Sequence, residues 1–212
     1  MDGLLLDTER IHLECFADSC RKHDLVPNMQ AIHACIGTTW QKTREILERA
    51  YGESFHWDHV RAEWQNLYRM RCDEQPIPVK TGAHSLLSTL GELDILCIVV
   101  TSSSLAEAKS QLGSARLDNY FVDIVGGDQV KNGKPHPEPY LEGLRRLKCD
   151  AENCWALEDS SNGVSSALAA GLQVYQIPDL VQPGGRLPER NYTLCKSLHD
   201  VLILIQNAHL MQ

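Results

Sequence analysis

In the first third of the chain, apolar side chains return at steps of three and four. Ile46, Leu47, Ala50 and Tyr51 form one such set, and Val60, Trp64, Leu67 and Met70 another. That spacing lines one face of an α-helix. It predicts helices over residues 9–23, 29–36, 40–51 and 56–72, which together make a helical bundle. Pro76, Pro78 and Gly82 then interrupt the pattern. Proline removes a backbone donor and clashes with the preceding turn, so this stretch reads as a hinge or linker.

Beyond it the rhythm alternates. Apolar runs over 95–100, 122–125, 154–157 and 173–177 predict strands, separated by predicted helices over 83–90, 105–112, 139–147 and 163–170. Gly171 stands where a left-handed cap would end the last of these. Continuous apolar strands between amphipathic helices imply a parallel sheet covered on both faces, hence an α/β fold. In such sheets ligands bind beyond the carboxyl ends of the strands.

Composition narrows the field. The 212 residues are 43% hydrophobic, with a net charge of −8, enough for one α/β domain with a helical insertion. The longest basic run is the pair Arg145-Arg146, so no nucleic-acid partner is expected. No apolar run is long enough to span a bilayer, and the first residues lack a signal-peptide pattern. A cytoplasmic monomer without a membrane partner is the default. The eight cysteines never form CxxC and are read as reduced thiols. His56 and His59 lie three apart, but a solvated helix face is the simpler reading.

The strand ends carry four polar clusters. Thr101, Ser102, Ser103 and Ser104 follow the first strand and open a helix whose first N–H groups would favour an anion. Lys134 lies in the Gly-Lys-Pro turn after the second. Glu158 and Asp159 close the third, adjacent carboxylates whose repulsion calls for a cation such as Mg²⁺ or a proton. Asp2, Asp7 and Glu9 surround an apolar triplet at the start. A phosphate dianion in transfer needs a cation, hydroxyl or amide donors and a metal. Thr101, Lys134 and Glu158 with Asp159 supply these types.

Here a family resemblance becomes specific. MDGLLLDTE resembles the tail of the DxDGxLxDTE signature of the haloacid dehalogenase-like hydrolases, and VVTSSS, GKPHPEPY and LEDSSNGVSSALAAG resemble that superfamily's second, third and fourth motifs. The subgroup it most resembles holds β-phosphoglucomutase and small sugar-phosphate phosphatases. The resemblance implies a Rossmann-like parallel core over 1–9 and 81–212 with an inserted α-helical cap over 10–80, Mg²⁺ as cofactor and a small phosphorylated metabolite as substrate.

It also implies roles. Asp2 matches the general acid/base, and its backbone carbonyl would join Asp159 and Glu158 at the metal. Thr101, with Ser102 and Ser103, would hold phosphoryl oxygens. Lys134 would bridge phosphate and nucleophile. His12, Thr38, Thr39 and Lys42 are candidate substrate contacts of the cap, with Trp40 read as packing. The nucleophilic aspartate would stand immediately before Met1, and the apolar strand bearing it, central in the family's sheet, is missing too. Either the sequence begins at the internal methionine of a longer chain, or the protein has lost its nucleophile and binds without catalysing. Losing a central strand exposes two edges, which favours the first.

The expected function is phosphate-monoester hydrolysis through a phosphoaspartyl intermediate. A β-phosphoglucomutase-type transferase is the alternative within the family. Asp2 and the Glu158/Asp159 pair argue against metal-free dehalogenation, and nothing marks Lys22 or Lys42 as an imine-forming lysine.

Overall fold

Four helices make up one unit of the chain, Asp7–Ile77, in the computed structural model, which describes residues 1–36, 38, 40–183 and 190–210. They are α1 (Thr8–Lys22), α2 (Met29–His33), α3 (Trp40–Tyr51) and α4 (Trp57–Glu74). α1 buries Ile11, Cys15, Phe16 and Cys20, and α4 buries Trp57, Val60 and Trp64, each set along one stripe. Two polar bonds set the register of these helices: Ser19 Oγ donates to the Val60 carbonyl at 2.8 Å, and Trp64 Nε1 to the His12 carbonyl at 2.9 Å. Phe16 is fully buried, its ring 5.2 Å from that of Trp64. α2 stops short of the predicted 36 because Cys35 and Ile36 donate to carbonyls three residues back, tightening the chain into a turn.

The other unit joins Met1–Leu6 to Pro78–Gln212. In order it holds α5 (Ala83–Glu92), β1 (Ile98–Val100), α6 (Leu105–Ser114), β2 (Asp123–Val125), α7 (Glu138–Leu147), β3 (Trp155–Glu158), α8 (Ser161–Ala169), β4 (Gln173–Gln176), β5 (Tyr192–Leu194) and α9 (Leu198–Leu210). Every strand pair is parallel, with Val99 opposite Ile124, Ala156 opposite Val174 and Val174 opposite Tyr192. Tyr140, Ala156, Val164, Ala167, Leu172 and Val174 form its apolar cluster. Leu6 pairs with Val79 as an antiparallel bridge, and Lys80 N donates to the Leu5 carbonyl at 2.8 Å. The two segments of the unit are thus tied beside both chain crossings.

The strands form two sheets, β1-β2 and β3-β4-β5. Among the described residues no strand pairs with the second edge of β1 or of β3. The apolar run predicted as a strand over 95–100 enters the ladder only at Ile98, and Ile95 and Leu96 are 44% and 64% exposed. Val122 and Trp155, beside or at the starts of β2 and β3, are also exposed. Parallel strands are ordinarily covered on both faces, and these apolar ends are not. β5 and α9 lie beyond the last predicted strand. No described helix is long and apolar enough to cross a membrane.

Phe16→Ala is expected to cost about 3–5 kcal/mol of stability through the cavity it leaves. Urea denaturation monitored by tryptophan fluorescence checks this.

Candidate active site

Asp2 sits in a tight loop in which the Met1 carbonyl accepts from the N–H groups of Leu4, Leu5 and Leu6. Gly3 takes φ +67°, and a Cβ on it would lie 2.5 Å from Asp159 Oδ2. Only glycine suits a backbone both left-handed and that close to a carboxylate. The Asp2 carboxylate meets the end of β1: its Oδ2 accepts from Ser103 Oγ at 2.9 Å and Thr101 Oγ1 at 3.5 Å. Thr101 is 3% exposed, its N–H bonded to the Val125 carbonyl and its hydroxyl accepting from Ser103 N at 3.2 Å.

The start of α6 differs from the open anion cradle expected. Ser104 and Glu107 cap each other reciprocally, and Asp128 accepts from Leu105 N at 2.8 Å. Those N–H groups are satisfied inside the protein. Hydroxyls and the lysine are therefore the donors on offer.

Lys134 spans the two sheets. Its Nζ donates to the Val100 carbonyl at 2.9 Å, at the end of β1, and to Glu158 Oε1 at 2.5 Å, at the end of β3. Tyr140 Oη donates to the same Glu158 oxygen. Glu158 is 4% exposed. Burial, then the Glu158 charge, pushes the Tyr140 phenol well above its ordinary range, so it stays a donor. Asp159 beside it is anchored through its backbone: its carbonyl accepts from Gln176 Nε2 at 3.1 Å, and Gln176 accepts in turn from Tyr192 Oη at 2.7 Å. Burial and the Glu158 charge push the Asp159 carboxyl up to about 6, against the pull of the N-terminal ammonium and Lys134.

Among the described residues no three His, Cys, Asp or Glu side chains form a closed metal cage. The Asp2 side chain turns to the hydroxyls of Thr101 and Ser103, just past β1. A partly buried Asp159 with raised affinity for a proton, next to Glu158, nonetheless fits Mg²⁺, which is commonly held by one or two carboxylates with water and substrate phosphate.

Thus Asp2, Thr101 and Ser103 form one group, and Lys134 and Glu158, with Asp159 next in the chain, another. Ser102 is exposed. The remaining candidates lie in the helical unit. His12 stacks on Tyr68 with ring centroids 3.8 Å apart. Thr38 Oγ1 donates to the Cys35 carbonyl at 2.8 Å and shares a hydrogen bond with Thr43. Lys42 pairs with Glu45. Thr39 lies outside the described residues. Trp40 packs against Trp57 and Trp64, with the Arg61 guanidinium 4.9 Å over its ring. Tyr140 escaped the sequence reading, although it closes the GKPHPEPY motif and follows Lys134 by only six residues.

A family profile described as haloacid dehalogenase-like hydrolase matches residues 1–177. The chain belongs to that family. Among the family's characterised members, it is 32% identical over 215 residues to the phosphorylated carbohydrates phosphatase of Thermotoga maritima, covering 98% of this chain and 96% of that one. It is 31% identical to hexitol phosphatase A of Escherichia coli, covering 84% and 80% of the two chains. In three dimensions it is similar to a candidate β-phosphoglucomutase of Thermotoga maritima, with TM-score 0.81, 26% identity and coverage of 98% and 96%.

The Asp159 carboxyl yields a signed prediction. Its folded-state value lies above that of an unfolded aspartate, so the folded protein binds this proton more tightly. The stability so gained is full below about pH 4 and is lost as pH rises through about 6. Asp159→Asn, which cannot ionise, is expected to raise the Tm of the metal-free protein by about 2–6 °C at about pH 8 and to change it little at about pH 4. Thermal melts in chelator across that range decide it.

Proposed function

We propose that the protein is a Mg²⁺-dependent phosphatase acting on a small phosphorylated carbohydrate. The observation that carries this reading is the ammonium of Lys134 held between the carbonyl end of β1 and the carboxylate end of β3, with the Asp2 acid bonded to hydroxyls at that same end of β1. The relatives that are phosphatases of phosphorylated carbohydrates and hexitols support the substrate class.

In this reading Thr101 and Ser103 donate to phosphoryl oxygens, exchanging their present bonds to Asp2. Lys134 offsets charge between phosphate and nucleophile with the hydrogen that its two protein bonds leave over. Asp2 protonates the leaving oxygen and then takes a proton from water. Mg²⁺, held by Asp159, Glu158 and the Asp2 carbonyl, would neutralise charge on the transferring phosphoryl group. The nucleophile is assigned to an aspartate preceding Met1 in a longer form of the chain, giving a phosphoaspartyl intermediate. Two features support that assignment: among the described residues no strand pairs with the second edge of β1 or of β3, and residues 1–3 lie with Asp2 against the end of β1 and Gly3 against Asp159. The helical unit is assigned selection of the leaving group. Similarity to a candidate β-phosphoglucomutase favours phosphate transfer between sugar hydroxyls as the second reading.

The 212-residue chain is expected to show no Mg²⁺-dependent release of phosphate from p-nitrophenyl phosphate or sugar phosphates, whereas a chain extended upstream does. Appreciable turnover by the short chain would remove the preceding aspartate from the mechanism. An inactive extended chain would leave a binding protein, and bisphosphate-dependent isomerisation would favour the transferase. In the active form, Lys134→Ala should lower kcat/KM roughly 100- to 1,000-fold, as measured by phosphate release.

A further inference from the structure

We propose that Tyr140 is a positioning residue for metal binding, dividing the two oxygens of Glu158 between the protein and the cation. The inference rests on the metal reading above and adds a residue to it. Tyr140 projects from α7 into the apolar cluster formed with Ala156, Val164 and Val174, and is 8% exposed. Its hydroxyl and the Lys134 ammonium both donate to Oε1 of Glu158, and the ammonium also lies 5.1 Å from the centre of the Tyr140 ring.

A carboxylate oxygen has two lone pairs. On Oε1 both are engaged, which leaves Oε2 as the oxygen free to serve a cation or its water. The carboxyl group as a whole lies against the backbone of Gly163: a Cβ there would stand 1.9 Å from Oε2 and 2.4 Å from Oε1. Glu158 is therefore held by a phenol, an ammonium and the bare backbone of α8. Without the hydroxyl, Lys134 alone would hold Oε1 by a single bond, about which the carboxylate can turn. Groups that orient metal-binding carboxylates in this way typically change metal affinity by about 10- to 100-fold when removed.

The test uses Tyr140→Phe in the 212-residue chain, with Mn²⁺ as the probe and free Mn²⁺ read by electron paramagnetic resonance. Phenylalanine keeps the ring, its packing and its contact with the Lys134 ammonium, so the metal-free melting temperature reports whether the cluster is intact. The expected result is Mn²⁺ affinity weakened about 10-fold, with a metal-free melt that stays cooperative and falls only by the few degrees that one lost charge-assisted hydrogen bond costs. Gly163→Ala, which drives a methyl into the Glu158 carboxyl group, should weaken affinity at least as much. Unchanged affinity in Tyr140→Phe overturns the proposal while leaving the metal reading standing, provided Asp159→Asn abolishes binding. Absence of Mn²⁺ binding by the unsubstituted chain overturns both.

Discussion

The Lys134–Glu158 pair is the constraint on which the active-site end of the α/β unit depends. Side-chain exposures are 10% and 5%, so both charges have given up most of their water. Such a pair is tolerable only when the geometry is good and further hydrogen bonds satisfy what remains. Here the Val100 carbonyl and the Tyr140 hydroxyl meet that condition. The bonds tie together groups that the backbone ladders do not: β1 belongs to one sheet and β3 to the other, and a single ammonium reaches the carboxyl ends of both. Replacing one partner alone would leave the other buried without its counter-charge.

Other features follow from placing that pair. α7 must bring Tyr140 under Glu158, and Gly143 lets α7 lie close on β1, since a Cβ there would come within 3.1 Å of Val100. α8 must begin beside Glu158, with Ser160 capping it by accepting from Gly163 N. β4 and β5 contribute Gln176 and Tyr192, a relay that holds the Asp159 backbone while its carboxylate stays beside Gly3. In the proposed reading the side chains at the site are few, and Glu158 and Asp159 are held by residues one layer further in. This is the arrangement expected where charge must be stabilised without reorganisation.

Much of this was legible in the sequence. The three- and four-residue spacing located the helices to within a few residues, and the apolar runs located β1 to β4. The motif residues Thr101, Lys134, Glu158 and Asp159 fall at strand ends or on the loops that follow them, and Asp2 lies in the opening loop against the end of β1. What escaped reading did so for physical reasons. β5 is three residues long, and the run Val201 to Ile205 in α9 is apolar at every position, so periodicity does not separate helix from strand there. The satisfied start of α6 depends on Asp128, distant in sequence. Nothing in the local pattern marks Tyr140, because its partner, Glu158, is brought to it only by the fold.

The most direct measurement of the central claim is a crystal structure of the chain grown with Mg²⁺ and a phosphate analogue such as orthovanadate. The account predicts one metal bound by Asp159 at about 2.0–2.1 Å, and one anion within hydrogen-bond reach of Thr101, Ser103 and Lys134. A metal bound away from Asp159, or an anion out of reach of Lys134, would contradict it.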